Sequence, residues 1–90
     1  MKKGICIVFL NKDRMARILR ELEITDIKWS MGQKPTEYTA WYKDSEYINH
    51  ISLLINPSDM FHKNPFLTYN TSLEVIKNVA KEGYSIFLYR

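Results

Sequence analysis

The side chains most able to carry out chemistry are few and scattered. Two histidines, His50 and His62, stand twelve residues apart, whereas a metal site needs three or four converging ligands. Asp59 precedes His62 by three residues and could form half of an acid–base pair with it. Because that stretch is rich in proline and asparagine and holds no evident nucleophile, loop polarity explains the pair better. The sequence predicts no metal, no cofactor and no catalytic residue.

Motifs for phosphate binding and nucleophilic catalysis are not found either. The chain has three glycines, and none stands in a phosphate-cradling pattern. It holds no Gly-x-Ser-x-Gly and no Cys/His constellation. The single cysteine, Cys6, stands among isoleucine and valine, which favours an inert core residue over a reactive thiol. We therefore expect a protein that is not an enzyme.

A dense group of aromatic and basic residues is more informative. Within nineteen residues stand Trp29, Tyr38, Trp41, Tyr42 and Tyr47, interleaved with Lys28, Lys34 and Lys43. Aromatic and cationic side chains on an exposed face can stack bases and hold phosphates, and the same types anchor protein–protein interfaces. Three interpretations stay open: core filling, a protein partner, or a nucleotide or single-stranded nucleic acid. The basic-Gly-aromatic signature of the RNA-recognition motif is missing, which disfavours that module.

The composition limits the classes of protein to which the chain can belong. Ninety residues predict one domain, 1–90, and a 46% hydrophobic content is too high for a disordered chain. One cysteine cannot form an internal disulfide, so a cytoplasmic setting is expected. The longest apolar run, Ile5–Leu10, is far shorter than the roughly 20 residues of a membrane span. A net charge of +3 permits phosphate-bearing partners without requiring them.

The first elements are a strand and a helix. Gly4–Leu10 is apolar at both alternating sets of positions, which predicts a central strand. Asn11 is a good N-cap for a helix that runs to about Glu23. Its buried stripe consists of Met15, Ile18, Leu19 and Leu22. Arg14 and Arg17 fall on the opposite face, either as solvated residues or as a basic docking surface.

The middle of the chain predicts a hairpin and further strands. The hairpin comprises a strand over 27–32, a loop over 32–36 and a returning strand over 38–43. Another strand is predicted over 47–55, then a long loop over 56–65 and a short strand over 66–69. Met60 and Phe61 are expected to tuck the long loop onto the core.

The last part predicts a helix and a closing strand. Thr71 and Glu74 match a capping box, Leu73, Ile76, Val79 and Ala80 form the inward stripe, and Gly83 ends the helix. The order β-α-β-β-(β-β)-α-β predicts an α+β fold, with a mainly antiparallel sheet and two helices on one face. This is a ferredoxin-like arrangement with extra strands before the second helix. If the closing strand, over 84–90, lies at an edge, a homodimer could form there.

The segment over 27–35, after an amphipathic helix, resembles small proteins encoded by bacteriophages and prophages. Those proteins carry a helix, a strand with Trp, two residues and Gly, and a Lys-Pro-like turn, as at Trp29, Gly32 and 34–35. A later Leu-Thr-Tyr segment is similar to Phe66–Tyr69. The resemblance implies a non-enzymatic accessory protein of the host cytoplasm. Such a protein binds and inhibits or modulates a host protein, for example a CRISPR effector, or sequesters a nucleotide signal.

The expected function is therefore binding of a host protein. The alternative is binding of a nucleotide or single-stranded nucleic acid through the same hairpin. The predicted binding residues are Trp29, Lys34, Tyr38, Trp41 and Tyr42 of the hairpin, with Arg14 and Arg17 of the first helix.

Overall fold

The fold is one mixed sheet with helices on both faces. The computed structural model describes residues 4–43, 51–70 and 72–89. In these ranges the strands are β1 (Ile5–Phe9), β2 (Lys28–Trp29), β3 (Ile51–Asn56), β4 (Phe66–Asn70) and β5 (Ser85–Tyr89). The α-helices are α1 (Met15–Ile24), α2 (Ala40–Lys43) and α3 (Leu73–Lys81), and 3₁₀ turns span Lys12–Arg14 and Pro35–Glu37.

The strand order across the sheet is β2-β4-β3-β1-β5. Strand β3 runs antiparallel to β1 and β4, whereas β2 is parallel to β4 and β5 is parallel to β1. The α+β class is confirmed, but the expectation of a mainly antiparallel sheet is wrong. The connections through α1 and α3 are crossovers, which join strands of the same direction. The observed order does not confirm a ferredoxin-like topology.

The two longer helices pack on opposite faces of the sheet. On one face, Leu19 of α1 lies in a core with Leu53 and Leu67. On the other face, Val79 of α3 packs with Cys6 and with Leu54. The expectation that both helices share one face is therefore wrong. The β1–α1–β2 and β4–α3–β5 crossovers traverse the sheet in opposite directions, so two crossovers of the same hand require opposite faces.

The predicted cap residues act close to the helix ends, although α1 itself begins at Met15, after a 3₁₀ turn. The Asn11 side-chain oxygen accepts the Asp13 amide at 2.9 Å, capping the 3₁₀ turn that leads into α1. Gly83, at φ 98°, ends α3, and the following amide, of Tyr84, reaches back to the Val79 carbonyl at 2.9 Å. This is a Schellman motif, which needs a left-handed residue. Thr71 of the predicted capping box lies outside the described residues.

The predicted hairpin between 27 and 43 is wrong. Strand β2 has two residues and ends in a turn, where the Gly32 amide donates to the Trp29 carbonyl at 2.8 Å. The predicted returning strand is replaced by the Pro35–Glu37 turn and α2. The indole N–H of Trp29 donates to the Pro35 carbonyl at 3.1 Å, and that of Trp41 to the Tyr38 carbonyl at 3.1 Å. In this irregular conformation the two carbonyls accept hydrogen bonds from the buried indole N–H groups. In a paired strand such carbonyls would accept from the backbone of the neighbouring strand instead.

Two other predictions differ from the structure, and a third concerns residues outside the described ranges. Met60 and Phe61 are 89% and 84% exposed, so the expectation that they tuck onto the core is wrong. Leu73, expected on the inward stripe of α3, is 49% exposed. Tyr47 and His50 lie outside the described residues.

Candidate functional site

The predicted aromatic binding residues lie mostly in the core. Trp29, Trp41 and Tyr42 are buried, at 5%, 7% and 3% exposure. The Trp41 and Tyr69 rings stack at 4.8 Å and 23°, and Trp29 meets both edge-on. A ring used in this way cannot offer its face to a base. The aromatic cluster formed by Trp29, Tyr38, Trp41, Tyr42 and Tyr69 therefore stabilises the α1 face of the sheet.

Tyr38 lies at the outer side of this cluster. Its hydroxyl is 3.2 Å from that of Tyr69, and this hydrogen bond raises the pKa of Tyr38. With Met31 and Gln33 it lines a depression of about 230 Å³ beside β2. Of the predicted aromatic residues, Tyr38 is the one that combines partial exposure with a surface depression.

The predicted basic residues do not converge. Arg14 and Arg17 are exposed at the start of α1, and Arg17 Nε pairs with Glu21 at 3.4 Å. Lys34 is exposed near the other end of the helix, where its charge adds to the hydrogen bonds from Thr36 that lower the pKa of Glu23. Glu23 follows Arg14 by nine positions along the helix, a rise of about 13 Å. The structure therefore gives two separate basic positions instead of one patch.

A concave feature that sequence reasoning missed lies beside β2. Two adjoining depressions, of about 470 and 230 Å³, share the lining residues Asp26, Asn64 and Pro65. The larger one reaches Leu22 and Ile55, and the smaller one extends along β2. We call the pair the β2 groove. It forms where the turn after α1 faces the loop between β3 and β4.

Four exposed apolar residues stand within two residues, in the sequence, of residues that line the β2 groove. They are Ile24 (86% exposed), Met31 (84%), Met60 (89%) and Phe61 (84%). Ile24 precedes the lining residue Thr25, Met31 lies between the lining residues Ser30 and Gly32, and Phe61 precedes His62. We call these four residues the apolar rim. Large apolar side chains grouped around a groove are typical of an interaction site.

A polar pair holds the rim loop in place. Asp59 Oδ1 accepts the amides of Phe61 and His62 at 2.9 and 2.8 Å and lies 3.0 Å from His62 Nδ1. These bonds, chiefly that with the imidazole, lower the pKa of Asp59. The His62 ring stacks on Phe66 at 3.8 Å. The loop that carries Phe61 is therefore held by hydrogen bonds to its backbone amides and by the contacts of the His62 imidazole.

One hydroxyl lies near the same pair in the smaller depression. Ser30 lines the smaller depression together with His62, but no hydrogen bond joins the two among the described residues. A nucleophile must lie within hydrogen-bond reach of its base. The contacts that the Asp59–His62 pair makes are with each other and with the backbone of their own turn.

Rim residues are visible in the sequence only as apolar residues in polar surroundings. Met60 and Phe61 stand between Ser58-Asp59 and His62-Lys63-Asn64. The same pattern is produced by a loop that anchors itself to the core, so sequence alone does not separate the two. Met60 and Phe61 are exposed because the hydrogen bonds to Asp59 stabilise this loop locally, without apolar contacts to the core.

No protein-family model, curated protein or solved structure gives a significant match to the chain. In the described ranges, no helix has the length and apolarity needed to cross a bilayer.

Proposed function

We propose that the protein is a non-enzymatic binding protein that docks on a partner protein through the β2 groove. The observation that carries this proposal is the apolar rim, whose side chains are 84–89% exposed and whose residues are close in sequence to those that line the groove. Removing such side chains from water on binding contributes about 25 cal/mol per Å² of apolar surface. Aromatic and methionine side chains are also the types enriched at interface cores.

The charges around the groove suggest the chemistry of the partner. Lys28 and Lys63 line the smaller depression together with one carboxylate, Asp26. The whole chain carries a net charge of +3. Complementary charge speeds encounter and selects partners, so we propose an apolar partner segment flanked by carboxylates.

The biological setting of the proposal comes from the sequence resemblance. Small phage and prophage proteins of this kind act on host proteins, and a complex of a defence system, such as a CRISPR effector, is the partner class that we propose. The fixed rim loop supports this use, because a preorganised surface loses less entropy on binding.

The proposal is tested by affinity capture from bacterial lysate with matched variants. Phe61→Asp and Met31→Asp remove rim residues that contact little of the core, so both variants should fold. Leu73→Asp changes an exposed leucine on α3, on the other face of the sheet. We expect the same protein with wild type and Leu73→Asp, and at least tenfold less of it with the rim variants, a loss of about 1.4 kcal/mol.

A photo-crosslinking amino acid at position 61 supplies an independent readout. We expect it to label the captured protein, whereas the same amino acid at position 73 should not. Capture that survives both rim substitutions, or is lost equally in Leu73→Asp, contradicts the proposal.

Binding of a nucleotide or single-stranded nucleic acid stays a prediction from the sequence. Burial of Trp29 and Trp41 leaves Tyr38, Lys34, Arg14 and Arg17 as the exposed or half-exposed members of the predicted set. Titration against oligonucleotides and cyclic dinucleotides at two salt concentrations tests it, because phosphate binding weakens steeply with salt.

A further inference from the structure

The strand β5 forms an open edge of the sheet. It pairs with β1 on one side, and no described residue pairs with its other side. Ile86, Phe87 and Leu88 are 41%, 55% and 56% exposed. The strand Ser85–Tyr89 contains no charged residue and no proline. Sheet edges are normally protected by such residues or by bulges, because an open edge is a template for another strand.

The opposite edge of the sheet is protected. Strand β2 is two residues long, carries Lys28 and is followed at once by a turn. A short, charged edge offers little for strand addition. The chain therefore leaves one edge open while it blocks the other.

Hydrogen bonds to β1 reveal which backbone groups of β5 face outward. The Ser85 amide donates to the Gly4 carbonyl at 3.0 Å, and the Tyr89 carbonyl accepts the Leu10 amide at 3.1 Å. Backbone polar groups alternate in direction along a strand, so Phe87 also directs its amide and carbonyl toward β1. Ile86 and Leu88 consequently present theirs at the open edge.

We propose that β5 pairs antiparallel with β5 of a second copy, about a two-fold axis at Phe87. In this register Ile86 lies opposite the other copy's Leu88, and each such pair exchanges two backbone hydrogen bonds. Phe87 lies opposite its own counterpart as a non-hydrogen-bonded pair, with Cα atoms about 4.5 Å apart. The two five-stranded sheets then form one continuous sheet.

The sequence of β5 is better suited to pairing with a second copy of β5 than with an arbitrary strand. Ile86 and Leu88 are similar in size and symmetric about Phe87, so the self-paired register matches Ile86 with Leu88 on one face and Phe87 with its counterpart on the other. No charge in Ser85–Tyr89 is brought against a like charge, which would be destabilising. This register also uses all five residues of β5, and a shift of the axis by one residue would use fewer.

The available area predicts a weak dimer. Three exposed side chains per copy are few beside the roughly 20–30 residues a side of a standard stable interface, which buries about 800 Å² per partner. We therefore expect a weak dimer with a dissociation constant in the micromolar range. The interface lies at the edge opposite the β2 groove, so dimerisation and partner binding are independent.

Sedimentation velocity between about 1 and 200 µM, a range chosen to bracket that affinity, tests the dimer. Wild type is expected to shift from monomer to dimer across it. Phe87→Lys places two like charges opposite each other at the axis and should stay monomeric. Phe61→Lys makes the same change at a more exposed phenylalanine in the rim loop and should dimerise like wild type. A wild type that is monomeric throughout, or a Phe87→Lys variant that still dimerises, overturns the proposal.

A cysteine scan tests the register and covers the case in which Phe87→Lys fails to fold. A non-hydrogen-bonded antiparallel pair has the Cα spacing that a disulfide needs. Phe87→Cys should therefore form a covalent dimer under mild oxidation, whereas Ser85→Cys, which lies opposite Tyr89 of the other copy, should not. Cys6 is buried and does not compete. Equal cross-linking at both positions, or none at position 87 in a folded protein, contradicts the pairing.

Discussion

Individual polar atoms in the aromatic cluster differ in how well they are satisfied. The indole N–H groups of Trp29 and Trp41 each reach a backbone carbonyl. The Tyr42 hydroxyl is buried with no hydrogen-bond partner among the described residues. Burial raises the pKa of Tyr42, although the nearby Arg20 charge acts in the opposite direction. An unsatisfied buried hydroxyl reduces stability because it has lost its hydrogen bonds to water and has gained none within the protein.

This difference makes Tyr42→Phe a stabilising substitution. Removing the unpaired hydroxyl should raise the free energy of unfolding by about 1 kcal/mol, which corresponds to a rise in Tm of roughly 4–8 °C in a domain of this size. Thermal and urea unfolding followed by circular dichroism measure the change.

Tyr38→Phe is the matched control for that substitution. It deletes a hydroxyl that is hydrogen-bonded to Tyr69, so its stability should fall slightly or stay unchanged. If Tyr42→Phe is less stable than wild type, the hydroxyl has a partner and the argument fails.

At the scale of elements, α1 is tied to the coil after β2 by one carboxylate. Glu23 accepts the amide and the hydroxyl of Thr36 at 3.1 and 2.6 Å. These hydrogen bonds lower the pKa of Glu23, with a smaller contribution from Lys34. The link spans thirteen residues of sequence and positions the Pro35–Glu37 turn, whose Pro35 carbonyl accepts the Trp29 indole.

Loss of this link should reduce stability in a pH-dependent way. Because the folded-state pKa of Glu23 is below its ordinary value, the stabilisation is fully present above that value, about 4.3. It is lost as the pH falls through the lower folded-state pKa. Glu23→Ala should therefore have a lower Tm than wild type at pH 6, and the gap should narrow toward pH 3.

Glu21→Ala is the control for this prediction. Glu21 lies on the same helix but pairs with the exposed Arg17 on the outer face, and exposed ion pairs contribute little. Its Tm should stay close to that of wild type at both pH values. If the difference in Tm between Glu23→Ala and wild type does not change with pH, the ionised carboxylate is not its cause.

At the scale of the whole molecule, the sheet has two edges with different properties. The β2 edge adjoins the groove and its apolar rim, whereas the β5 edge is an open, uncharged strand. Strands β4, β3 and β1 lie between them. A partner at the groove and a second copy at β5 can therefore be bound at the same time.

Separation of the two edges predicts that their functions can be lost independently. Phe87→Lys should abolish dimerisation but keep capture of the partner from lysate. Phe61→Asp should show the reverse. Sedimentation and capture measured on both variants give the comparison, and a variant that loses both activities while folded would show that the two sites are coupled.

The sequence by itself determined the parts of this protein that depend on local chemistry. The β1 strand, the cap at Asn11, the stripe through Met15 and Leu19, and the glycine end of α3 follow from residue types at fixed spacing. So does the prediction that Cys6 is a core residue: it is fully buried, and burial raises the pKa of its thiol.

Only the tertiary structure decided the direction of the strands, the faces of the helices and the fate of the aromatic residues. The alternation of apolar and polar residues around Trp29 and Trp41 is compatible with a hairpin and with irregular structure. In the folded protein, hydrogen bonds from the two indoles to nearby backbone carbonyls stabilise the irregular conformation. Exposure of Phe61 likewise depends on the Asp59 turn, and that of Phe87 on β5 lying at an edge. Periodicity specifies which side chains share a face, but strand order and burial arise from contacts between residues far apart in sequence.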